Sequence, residues 1–77
     1  MTATRAQFLF VLKDELRARF GWAQTPARLD AYMGRVSDTI DGHGTELPEG
    51  AAYKAALARC AMPPDADIHT LQSLEAQ

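Results

Sequence analysis

The chain has 77 residues, a formal net charge of −2, a single cysteine, and 47% hydrophobic residues with no long apolar run. That is material for one domain with a modest core, in which folding hides about 60–65% of the surface of the unfolded chain. A membrane-spanning helix, an internal disulfide and a strongly basic composition suited to nucleic acid are excluded.

The first element is announced by Thr4-Arg5-Ala6-Gln7. A threonine followed three residues later by glutamine forms a capping box, in which each side chain takes a backbone N–H of the other residue. Phe8, Leu9, Leu12, Leu16 and Phe20 then repeat at helical spacing and predict a helix over 5–20 with one apolar face. Phe10 does not share that face; at about 100° per residue it points away from it, near Lys13, Asp14 and Arg17. Gly21 is suited to close the helix, with Trp22 folding back as a plug on Leu16. Thr25-Pro26 supplies the next start, threonine as N-cap and proline at the first helical position, where a missing N–H costs nothing.

Leu29, Tyr32, Met33, Val36 and Ile40 make the second helix, about 26–41, amphipathic. Three glycines and a proline between Asp41 and Gly50 mark a loop. A third, alanine-rich helix is expected over about 49–61 with Tyr53, Ala56, Leu57 and Cys60 on its buried face. Pro63-Pro64 ends it. Asp65 or Asp67 can cap a short last helix, about 67–75, carrying Ile68, Leu71 and Leu74. No segment reads as a strand. The expected fold is all-α: a single domain, 1–77, in a small bundle of three longer helices plus a short C-terminal helix.

Charge is unevenly placed. Residues 1–35 hold six basic side chains against three acidic ones, and the remainder holds two basic against seven acidic. Either the two halves attract each other inside one fold or they present a basic and an acidic face to partners. Asp38, Asp41, Glu46 and Glu49 are the candidates for the acidic face.

Reactive constellations are thin. Asp41, His43 and Glu46 lack the spacing of a zinc site, and no cysteine joins them. Cys60 and His69 have no third group to orient them for nucleophilic catalysis, and Cys60 falls on an apolar helix face, where an unpaired cysteine acts as a small hydrophobe. The glycines match no nucleotide-binding fingerprint. An enzyme is not expected, and neither a cofactor nor a metal is. The apolar stretch Phe8 to Leu12 is too short for a signal peptide, so the expected location is cytoplasmic.

Phe10, an aromatic among Lys13, Asp14 and Arg17, has the form of an interface anchor with a polar rim. The alternative is that it packs beneath the last helix or a terminus. Self-association into a homodimer would be one way for a core of this size to gain support.

At Arg19-Phe20-Gly21-Trp22, Arg28-Leu29-Asp30, Met33, Val36 and Thr39-Ile40, and again in rhythm at Ala52 to Leu57, the sequence resembles short uncharacterised helical proteins of proteobacterial phages and mobile elements. It departs from them at Asp41-Gly42-His43-Gly44 and at Met62-Pro63-Pro64-Asp65, where they tend to carry a tryptophan-containing loop and a glycine-lysine turn. The resemblance implies a small accessory protein of a mobile element; anti-CRISPR inhibitors are comparable in size and setting. The reading that follows is a non-catalytic inhibitor that binds and blocks a larger protein or nucleoprotein partner, with Phe10, Lys13, Asp14 and Arg17 as its contact residues. The second reading is a small DNA-binding accessory protein using the basic first two helices, and the third an orphan enzyme subunit with His43 near its site.

Overall fold

The computed structural model describes residues 3–20, 26–48 and 50–74, the side chain of Phe20 excepted. The described residues form four helices: α1, Arg5–Phe20; α2, Pro26–Ile40; α3, Ala51–Arg59; and α4, Ile68–Gln72. No strand occurs among the described residues. The all-α expectation holds, with corrected lengths. Helix α3 spans nine residues and α4 five, both shorter than the sequence suggested, so α1 and α2 are the only long helices among the described residues. The proposed joint of Gly21, Trp22 and Thr25 lies outside the described residues.

Helix α1 starts as its capping box requires. The Thr4 N–H donates to Gln7 Oε1 at 2.8 Å and the Gln7 N–H to Thr4 Oγ1 at 3.1 Å. Two of the donors that a helix start leaves open are thereby satisfied. Helix α2 ends at a turn in which the His43 N–H donates to the Asp38 carbonyl and the Gly42 N–H to that of Thr39, with Gly42 at φ 88°. This is a Schellman motif with glycine at its left-handed position. The same pair of bonds ends α3: Met62 N–H donates to the Leu57 carbonyl and Ala61 N–H to that of Ala58. Here the left-handed residue is Ala61, at φ 53°. Residues 60 and 61 therefore belong to the cap, which is why α3 stops before Pro63-Pro64. At its other end Gly50, φ 84°, opens the helix in a conformation that favours glycine. Helix α4 is capped by Asp67, whose carboxylate accepts the Thr70 N–H at 3.1 Å.

Helix α1 is the centre of the bundle. It packs on α2 and more extensively on α3, and α4 closes against α2. The core draws Phe8, Leu12 and Leu16 from α1, Leu29, Val36 and Ile40 from α2, Ala52, Ala56 and Leu57 from α3, and Ala66, Leu71 and Leu74 from the C-terminal segment. Each large member contributes roughly 1.5–3 kcal/mol by leaving water. Ala52 and Ala56 lie one turn apart on α3, so their small side chains let α1 come near. Phe8 meets Tyr53 edge to face, ring centroids 6.2 Å apart, and the Tyr53 hydroxyl donates to the Ala66 carbonyl. One aromatic pair thus ties α1, α3 and the approach to α4 together. The Asp41–Gly50 loop is anchored as well: Pro48 is fully buried and Leu47 packs on the core.

Candidate functional site

Where α1 turns away from the core, Phe10 stands in solvent. It is 71% exposed and is the one large apolar side chain so placed among the described residues. The alternative of Phe10 packing beneath the last helix is not realised. Lys13, Asp14 and Arg17 follow at i+3, i+4 and i+7, which puts all four on one outward face.

Lys13 lies about 60° to one side of Phe10 around the helix and Asp14 about 40° to the other. Each is drawn toward a neighbouring helix. Lys13 Nζ reaches Asp30 Oδ1 on α2 at 3.0 Å, and Asp14 Oδ2 accepts from Arg59 Nη1 on α3 at 2.9 Å. Arg59 also reaches Glu15 at 2.8 Å, and Glu15 accepts from Arg19 Nε at 2.8 Å. Two carboxylates and two guanidinium groups balance in this cluster. Hydrogen bonds first from Arg19 and then from Arg59 hold the Glu15 carboxyl below its ordinary value, while Asp14 and Glu15 push Arg59 up. Arg17 differs: it is exposed and makes no ion pair with a described residue. The face is therefore an aromatic peg and one uncompensated cation, about 10 Å apart along the helix axis, between two internally neutralised pairs.

The acidic candidates fall at and after the end of α2, where Asp38 and Glu46 border one groove. Asp41 is held by Arg5 and Glu46 by Arg35, at 2.5 Å in the second case. Arg35 also lies over the Tyr32 ring, 5.6 Å from its centroid. Asp38 is exposed, and its carbonyl serves the α2 cap. Glu49 lies outside the described residues. The unequal charges of the two halves are thus joined within the fold, through Arg5–Asp41, Arg35–Glu46 and Arg59 with Asp14 and Glu15.

His43 and Cys60 line separate clefts. An open groove of about 470 Å³ runs between the end of α2 and the loop after it, bordered by Arg35, Asp38, Thr39, His43, Thr45 and Glu46. A smaller one, about 280 Å³, borders Cys60, Met62, Pro63, Thr70 and Leu74. His69 is exposed and lines neither. No three of the described histidine, cysteine, aspartate and glutamate side chains come together as a metal site. Burial pushes the Cys60 thiol above its ordinary value, with Arg59 opposing in part, so little reactive thiolate forms near neutral pH.

Two features had no sequence signal. Arg59 reads in sequence as a cation at the end of α3, favourable to the helix dipole, but it is the link from α3 to α1. Leu47-Pro48 sits in a loop-forming composition yet inserts into the core.

No protein-family model, curated protein or solved structure matches the chain.

Proposed function

We propose that this chain is a non-catalytic binding protein that acts by occupying a surface of a larger protein or nucleoprotein through the outer face of α1. The observation that carries this reading is Phe10, 71% exposed on a helix whose other described large apolar side chains, Phe8, Leu9, Val11, Leu12 and Leu16, lie in or against the core. Aromatic residues, phenylalanine among them, and arginine are enriched at protein–protein interfaces relative to the rest of the surface. The rim suits the role. Lys13 is paired with Asp30 and Asp14 with Arg59, which leaves Arg17 as the open charge of the face. Inhibition of a host machine by a mobile-element product is the setting that the resemblance at Arg19-Phe20-Gly21-Trp22 suggests.

The charge pattern favours a protein over nucleic acid as the contacted surface. Arg5, Lys13, Arg19 and Arg35 each meet a carboxylate. Neutralised cations displace few counterions, and counterion release supplies most of the affinity of a DNA binder. On the acidic side Asp41 and Glu46 are likewise paired, with Arg5 and Arg35.

The experiment is parallel capture from lysate of the source cell with the wild type and the Phe10→Asp variant, each first shown to melt cooperatively. A partner retained by the wild type and lost from the variant supports the reading. Equal recovery by both proteins would refute it.

A further inference from the structure

The charges around Phe10 say what kind of surface fits it. Of the four basic side chains of α1 past its first turn and α3's last, Lys13, Arg19 and Arg59 are each bound to carboxylates. Arg17 alone among them is exposed without an ion pair in the described residues. Asp14, the one acidic residue on the face, has its carboxylate engaged by Arg59. What remains open toward a partner is an aromatic ring and, two helical turns further on, a single guanidinium.

We infer, building on the docking role of this face, that its partner presents an apolar socket for Phe10 with a carboxylate about 10 Å away for Arg17, the axial separation of residues seven apart on a helix. Arginine matches a carboxylate with two parallel hydrogen bonds, a geometry that lysine does not offer. A phosphate backbone is a poor match, because the one free cation of this face gives one phosphate contact. An anionic bilayer is a poor match too. Surface-seeking helices carry a broad apolar face with several basic residues beside it, and here the apolar face of α1 is spent on the core. The acidic, apolar surface of another protein is the match that remains.

A test needs no knowledge of the natural partner. Random peptides displayed on phage are selected against the whole immobilised protein, and clones that also bind Phe10→Asp are removed. The remaining clones should combine leucine or aromatic residues with aspartate or glutamate. The same selection against Arg17→Glu should exchange that acidic preference for lysine or arginine, and a clone chosen on the wild type should bind Arg17→Glu at least tenfold more weakly. Both substitutions fall on exposed positions, and helical circular dichroism checks that the fold is kept. Phe10-dependent clones without an acidic preference, or the same clones from wild type and Arg17→Glu, would overturn the inference while leaving the docking role standing. Absence of any Phe10-dependent clone would overturn the inference, while the docking role is decided by the capture from lysate.

Discussion

Replacing Ala61 by glycine is expected to stabilise the protein, and replacing Gly42 by alanine to destabilise it by a similar amount. The two residues occupy the same place in two copies of one helix-ending turn, at φ 53° and 88°. An L-residue in the left-handed region costs roughly 1–2 kcal/mol. Glycine escapes that cost but loses roughly 0.5–1 kcal/mol through the greater freedom of the unfolded chain. The net difference is about 0.5–1 kcal/mol in favour of glycine. Neither site adds a complication: Ala61 is exposed, so its methyl group is not core, and a Cβ at Gly42 would meet nothing within 4 Å. For a domain of this size the midpoint should move by roughly 2–8 °C, upward for Ala61→Gly and downward for Gly42→Ala. Thermal melts followed by far-UV circular dichroism measure both. An Ala61→Gly variant that melts at or below the wild type would refute the conformational reasoning.

Leu71 is fully buried on a helix of five residues, too short to persist unless packed. Leu71→Ala should cost about 2–5 kcal/mol in urea denaturation, and a loss under about 1 kcal/mol would place α4 outside the cooperative core. Arg19 and Arg59 lower the Glu15 carboxyl, and the Thr70 N–H lowers that of Asp67. A native pKa below the unfolded one gives stability that is complete above the ordinary carboxylate range and is lost as pH falls through the lowered values. The melting temperature should therefore hold from neutral pH to about pH 5 and drop below about pH 4. The double variant Glu15→Gln, Asp67→Asn should have a shallower acid limb, and an unchanged limb would contradict the assignment. Cys60, its thiol raised by burial, should react with Ellman's reagent more slowly than free cysteine at neutral pH and speed up only in alkali. Equal rates at neutral pH would contradict that environment.

The apolar spacing of α1 and α2 was legible because a helix face repeats on a period that the sequence shows directly. Phe8, Leu12, Leu16, Leu29, Val36 and Ile40 all reached the core, and Phe10 stayed out of it. The capping box was legible for a similar reason, since Thr4 and Gln7 complete each other locally. The end of α3 was not. Ala61 is an ordinary helix former, yet it takes the left-handed conformation that sequence assigns to glycine, in the turn that brings Met62 against the core. Loop composition likewise hid Pro48, whose burial is set by the tertiary fold. At the candidate face, the identity and common orientation of Phe10, Lys13, Asp14 and Arg17 followed from helical spacing. Which of their charges are already satisfied did not, because Asp30 and Arg59 arrive from other helices. Long-range pairing of the same kind joins Asp41 to Arg5 and Glu46 to Arg35.

The most direct measurement is the affinity of the captured partner for wild type and for Phe10→Asp, made on proteins of matched thermal stability. Loss of binding by at least a factor of ten, with the melting midpoint unchanged, is the expected result. Undiminished affinity would contradict the assignment of the α1 face as the docking surface.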